Sequence, residues 1–193
     1  EGRFPGIETL SNTFAINTKS EFRKLSKQLE LPVPRVLTLE TSAEAQSVIV
    51  KPVDSFSGRG MAVLHAPSSN KLTAAYDEAC KASRSKTAMI EEFVTGQLFS
   101  HSAFVRGGRI VADFVVQEEC VTNPFTVDTS RVANDFTREM LSSLRWDVLR
   151  LTSSLNLTDG LVHTQFIAKE KEYWIIEVTR RCPGDIYSLL IEF

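Results

Sequence analysis

Lys51 closes a β-branched run, Val48-Ile49-Val50, and Pro52 follows it at once. Proline fixes φ and removes a backbone donor, so a strand ending there holds the lysine at its edge. A short polar loop then brings Gly58, Arg59 and Gly60 ahead of a second apolar run, residues 61–64. Without a Cβ, the two glycines allow backbone N–H groups to approach a ligand and take positive φ. Such a loop makes a concave anion site, and Lys51 and Arg59 add positive charge to it. That is chemistry for phosphate oxygens. Neither a Gly-Lys-Ser/Thr opening a helix nor Gly-x-Gly-x-x-Gly is present, and an ordinary hairpin with a glycine turn reads the same way locally.

A second group of polar side chains lies near the other end. Residues 161–168 and 173–178 read as two strands joined across 169–172, and Gln165 and Glu177 can lie side by side on them. Thr179 comes two residues on and faces the same way. Amide oxygen, carboxylate and hydroxyl are hard ligands of the kind Mg²⁺ takes, with water and phosphates completing its shell. Arg181 can offer a planar fork to a phosphoryl or carboxylate group. A glutamate paired with an arginine on a sheet face is the plainer alternative. His163 and His101 are the side chains near this region that titrate around neutrality, and alternation turns His163 to the face of Gln165. Glu91 and Glu92, adjacent in a strand over 87–94, point to opposite faces, so at most one joins a given site.

The elements that must position these groups follow from periodicity. Residues 1–17 have no clear period and read as an irregular lead-in. Thr18-Lys19-Ser20-Glu21 has capping-box spacing, and Phe22, Leu25 and Leu29 then share a helical face until Leu31-Pro32-Val33-Pro34 ends it. Lys19 thus sits at the positive end of the helix macrodipole, which favours an anionic partner, although a solvated lysine is the plainer local reading. A short strand over 35–39, a polar connection over 40–47, a helix over 70–84 and a hairpin turning at 106–109 follow. Residues 117–128 read as irregular, and 128–155 as the longest helix, with Val132, Phe136, Met140, Leu144 and Val148 on one face. A turn at 158–160 precedes the last hairpin, and a short helix over 184–190 closes the chain.

With 193 residues, 42% apolar and 24% charged, the chain can bury one substantial core or two small ones. A net charge of −2 gives no basic footprint for nucleic acid. Three scattered cysteines without metal-ligand spacing suggest a reducing compartment. No apolar run is long enough to span a bilayer and no signal peptide opens the chain, so the expectation is a cytoplasmic protein with no membrane partner.

In their order and spacing, the two constellations resemble the ATP-grasp superfamily over about residues 17–193. The Lys51-Pro52 strand with Gly58–Gly60 resembles its phosphate-covering hairpin, Met89-Ile90-Glu91-Glu92-Phe93-Val94 with Gly96 its adenine strand, and His163-Thr164-Gln165-Phe166 with Glu177-Val178-Thr179-Arg180-Arg181 its metal-binding pair. The resemblance implies an α+β fold of two α+β subdomains with mostly antiparallel sheets and the nucleotide between them. Residues 18–95 would hold a helix and the smaller subdomain, and 96–193 the larger. It implies that Lys51 and Lys19 contact phosphates, that Gly58, Arg59 and Gly60 close over them, and that residues 91–94 (Glu91, Glu92, Phe93 and Val94) hold adenine. Gln165, Glu177 and Thr179 would hold Mg²⁺, with Mn²⁺ as an alternative, and Arg181 would steady the transferring phosphoryl group.

The implied activity is an ATP-dependent ligase acting on a small carboxylate and an amine, less readily a thiol. Three departures stand out. Gln165 occupies a position that is commonly an acid, although relatives of the carbamoyl-phosphate synthetase large subunit also use glutamine there. Thr179 replaces a longer asparagine. The additional N-terminal α/β domain and the C-terminal extension of full-length enzymes do not fit in 193 residues. The alternative is a non-catalytic Mg-ATP-binding module with a regulatory or structural role, and behind it an α+β domain without nucleotide.

Overall fold

Helix begins earlier than the periodicity implies. In the computed structural model, which describes residues 8–55, 58–133 and 136–181, the Thr9 hydroxyl accepts from the Asn12 backbone and caps α1, Leu10–Asn17. This corrects the irregular lead-in over that stretch. Leu10 and Phe14 are exposed and only Ile16 is buried, so α1 carries no apolar stripe for periodicity to detect. Distant polar contacts hold it in place: Asn12 donates to the Leu155 carbonyl (2.9 Å), and the Glu8 carboxylate accepts from Thr158 and Arg180.

Thr18 ends α1 and begins α2, Lys19–Gln28. The expected capping box does not form, because the Thr18 side chain caps nothing; the Lys19 N–H bonds instead to the Val53 carbonyl. Then come β1 (Val36–Leu37), α3 (Leu39–Ser42), β2 (Ser47–Pro52), β3 (Ala62–His65), α4 (Ser69–Ala82) and β4 (Ala88–Glu92). The single turn α3, fixed by reciprocal Thr38–Thr41 bonds, takes Leu39 from the expected strand and the start of the expected polar connection. These strands form an antiparallel sheet in the order β1-β4-β2-β3. Val48, Val50 and Ile90 pack against Leu72 and Ala79 of α4 to make its core.

The second sheet contains β5 (Gln97–Arg106), β6 (Arg109–Glu119), β7 (Thr129–Val132), β8 (Gly160–Lys169) and β9 (Glu172–Thr179), in the order β7-β6-β5-β8-β9 and antiparallel throughout. Gly107 and Gly108, both at positive φ, make the tight β5–β6 turn that the sequence predicts. Two expectations fail here. Strand β6 continues to Glu119, past the expected end at Val116. Residues 129–132 form edge strand β7 rather than helix, and α5 is Arg138–Ser154, capped by the Thr137 hydroxyl. Val132 is 65% exposed, so its match to the helical spacing is coincidental. The Asp128 carboxylate accepts from the Val121 and Thr122 N–H groups and folds the preceding loop so that β7 meets β6.

Helix α5 buries Met140, Leu144, Val148 and Leu151 in a core that includes Phe166, around which Phe99, Phe136 and Tyr173 pack their rings. No helix among the described residues is long and apolar enough to cross a membrane. The expected helix over 184–190 and Cys182 lie outside the described residues.

Candidate functional site

A cleft of about 610 Å³ separates the two sheets, with Lys19, Lys51 and Glu91 on one wall and Gln165, Glu177 and Arg181 on the other. Lys51 is the penultimate residue of β2, as the Lys-Pro junction implies, and its side chain is only 4% exposed. Its ammonium pairs with the buried Glu91 carboxylate. Arg23, one turn after Lys19 on α2, shares that carboxylate through Nε (2.5 Å) and also donates to the Ile176 carbonyl (3.1 Å). Burial works to raise the Glu91 carboxyl, but Lys51 and Arg23 outweigh it and hold it below its usual range. Burial pushes the Lys51 ammonium down, against the pull of Glu91. Two cations on one carboxylate leave a surplus positive charge, which an anion in the cleft would offset.

Lys19 Nζ donates to the Ser55 carbonyl (2.8 Å), so it stands beside the loop that follows Lys51. Gly58 and Gly60 adopt φ of +67° and +73°. A Cβ on Gly58 would come within 2.4 Å of Phe125 Cβ, so the loop packs against the segment after β6. Gly58 lines the cleft, whereas Gly60 backs onto Ala82 and Arg59 is exposed away from the wall. Asp54 anchors the loop at its start by accepting from Ser83 Oγ (2.6 Å) and the Arg84 and Ser85 N–H groups (2.9 Å each). These bonds, the Ser83 one foremost, hold its carboxyl down at about 2.

Alternation in β4 separates the neighbouring acids. Glu91 turns inward, and Glu92 accepts from the Arg35 N–H (2.9 Å) and Nε (2.6 Å). Glu92, Phe93 and Val94 line the cleft. The Glu92 and Phe93 N–H groups bond to the Arg35 and Ser47 carbonyls, while that of Val94 has no partner among the described residues. Ile49, Val63, Leu98 and Ile167 make the adjoining walls apolar. This is an apolar slot with a spare main-chain donor, the Val94 N–H, among the described residues.

On the opposite wall Gln165 and Glu177 are direct partners in the β8–β9 ladder. The next pair is Phe166 with Ile175, so Ile176 is an extra, bulged residue, and it lines the cleft with Glu177. The Glu177 side chain makes no hydrogen bond or ion pair among the described residues. Gln165 Nε2 donates to Glu118 Oε2 (2.7 Å). Thr179 lies two pairs further along, opposite His163; it is buried off the cleft wall, with Oγ1 3.5 Å from the Arg181 carbonyl. Arg181 reaches the cleft.

His163 and His101 stand apart from the cleft wall, whereas His65 on β3 lines it. His163 is buried with Nδ1 3.0 Å from Ser102 Oγ, and burial, helped by Arg181 and His101, pushes its pKa down to about 4. His101 lies within 2.7 Å of Asp113, which Arg145 also clamps. Among the described residues no three His, Cys, Asp or Glu side chains group as a metal site. A carboxylate with no partner among the described residues, opposite an amide, nevertheless fits Mg²⁺, which needs one or two carboxylates when phosphates supply the rest.

Three contributors escaped sequence reasoning. Arg23 had only its four-residue spacing from Lys19 as a signal. Glu118 would have appeared had the alternation of residues 110–116 been continued to Glu119. Phe125 had none. Arg131 pairs with Glu119 (3.4 Å), and Cys120, Pro124, Phe125 and Val127 form that side of the cleft.

The sequence pattern of the ATP-grasp domain matches residues 16–185. No curated protein sequence matches the chain. The solved structure of D-alanyl-alanine synthetase A from Vibrio cholerae is similar over 92% of this chain and 60% of its own, with a TM-score of 0.75 and 14% identity. The biotin carboxylase–β,γ-ATP complex from Campylobacter jejuni has a TM-score of 0.73 and 14% identity, over 89% of this chain and 42% of its own. L-amino acid ligase from Bacillus licheniformis has a TM-score of 0.69 and 19% identity, over 94% and 44%. At such identities the likeness is one of fold, and the chain spans 60% or less of each of these structures.

Proposed function

The chain belongs to the ATP-grasp family, and on that premise we propose that it is an ATP-dependent ligase, or the ATP-binding portion of one. The reaction activates a small carboxylate as an acyl phosphate, which an amine then attacks. One observation carries this reading: a cation pair, Lys51 and Lys19, faces an oxygen pair, Glu177 and Gln165, across a single cleft. The division of labour follows, with residues 18–95 covering the phosphates and residues 96–193 holding the metal and the transferring group.

The protein's share is position and charge, as in phosphoryl transfer generally. Lys51 and Lys19 receive phosphate oxygens. Residues 92–94 receive the adenine edge, with the Val94 N–H as donor. The Gly58 turn, packed on Phe125, keeps water from the acyl phosphate. Arg181 holds the phosphoryl oxygens in its planar fork. Glu177 and Gln165 would hold Mg²⁺ or Mn²⁺, which neutralises charge on β- and γ-oxygens when bound.

The test is ADP release. A ligase forms ADP only when a suitable carboxylate and amine are both present, and a screen of amino acids is the first set to try. If Mg-ATP at a hundredfold excess over its Kd adds none of the expected ~2.7 kcal/mol of stability, nucleotide binding itself is refuted. A second reading, a Mg-ATP-binding module without turnover, is favoured by Thr179 lying off the cleft wall. It predicts the stabilisation with no ADP release under any pair of substrates.

A further inference from the structure

A carboxamide can present either its oxygen or its NH₂ to a ligand, and only the oxygen can bind a cation. We propose that Glu118 is the positioning residue that settles this choice for Gln165. By accepting from Gln165 Nε2 it turns the Gln165 carbonyl oxygen toward the cleft as a divalent-cation ligand beside Glu177. The inference rests on the metal site proposed above and adds a residue to it.

The geometry carries it. Glu118 lies on β6 and Gln165 on β8, with β5 between them, so the two side chains bridge two strand spacings, roughly 10 Å. Ser100 is the β5 partner of Gln165 and Leu98 that of Glu118, so the contact runs diagonally across β5. Glu118 is 3% exposed, and its own carbonyl accepts from Gln97 Nε2 (2.9 Å), which steadies the backbone beneath it. With Glu118 Oε2 taking a hydrogen from the amide NH₂, the carbonyl oxygen is left for the other side. A charge-assisted bond of 2.7 Å away from bulk water is strong enough to hold that orientation.

The same contact accounts for the amide at 165, where an acid would otherwise serve. A carboxylate there would stand against Glu118 with like charge. Gln165 and Glu118 are thus a matched pair that a reciprocal exchange should preserve.

Mn²⁺ affinity, measured by electron paramagnetic resonance with a non-hydrolysable ATP analogue bound, tests this without catalysis. E118Q should weaken Mn²⁺ binding about tenfold, the scale of lost outer-shell partners. Q165E should weaken it too, and E118Q/Q165E should return to within about threefold of the unaltered chain, a large coupling between neighbours. E118D, which keeps the acceptor, should lose less than E118Q. A cooperative thermal transition in each variant reports that the chain still folds. E118Q binding as the unaltered chain does, Q165E binding more tightly, or a double variant no better than its parents would overturn the role of Glu118 and leave the metal site standing. Failure of the unaltered chain to bind Mn²⁺ beside the analogue would overturn the site and this inference together.

Discussion

Lys51 and Glu91 form an ion pair at the floor of the cleft, and Arg23 takes the same carboxylate from the other side. The arrangement joins three elements, α2, β2 and β4, and Arg23 extends it to β9 through the Ile176 carbonyl. A group proposed to bind phosphate is thus also part of the buried framework.

Removing either member should separate those two roles. Glu91→Ala leaves two buried cations without an anion and should cost about 3–5 kcal/mol. Lys51→Ala leaves Arg23 and Glu91 as a balanced pair, so the stability loss should be smaller while ATP affinity falls at least about tenfold, one charged hydrogen bond's worth. Urea denaturation and nucleotide titration measure the two effects. ATP binding that survives Lys51→Ala intact would refute the phosphate assignment.

Gly58→Ala places a Cβ 2.4 Å from Phe125 Cβ at a φ of +67°. The left-handed backbone alone costs roughly 1–2 kcal/mol for a residue with a Cβ. Nucleotide affinity should fall, and adding Phe125→Gly, which removes the opposing Cβ, should recover the steric part only. Calorimetric titration of the single and double variants resolves the two contributions; affinity unchanged in Gly58→Ala would mean that this turn does not meet the nucleotide.

Glu177→Gln keeps the shape of the oxygen wall and removes its charge. Nucleotide should still bind in EDTA, and the gain on adding magnesium should shrink about tenfold. The ratio of Kd values with and without magnesium is the readout. A ratio equal to that of the unaltered chain would place the cation elsewhere.

Asp54 predicts an acid limb. Its carboxyl titrates at about 2 in the folded chain against 3.8 ordinarily, so below pH 3.8 the unfolded chain takes the proton first. The stability from its bonds to Ser83, Arg84 and Ser85 is therefore nearly whole above about pH 5, declines as pH falls through 3.8, and is gone only below about pH 2. Asp54→Asn should be less stable at neutral pH and should show a flatter decline over that window. Unfolding midpoints between pH 2 and pH 6 for the two proteins make the comparison; parallel curves would contradict it.

What could be read directly depended on short-range geometry. The Lys51-Pro52 strand end, the opposite faces of Glu91 and Glu92, the Gly107-Gly108 turn and the pairing of Gln165 with Glu177 each follow from a period of two or a local backbone constraint. Tertiary structure alone decided the rest. Helix α1 has no apolar stripe and is tethered by Glu8 and Asn12 to residues some 140 positions away. Val132 matched a helical spacing yet joined a sheet edge, because the Asp128 turn brought it to β6. Arg23, Glu118 and Phe125 entered the site through partners remote in sequence, and no local pattern encodes which distant carboxylate, amide or glycine a side chain will meet. Periodicity specifies the face a residue occupies; packing between the two sheets chose its partner.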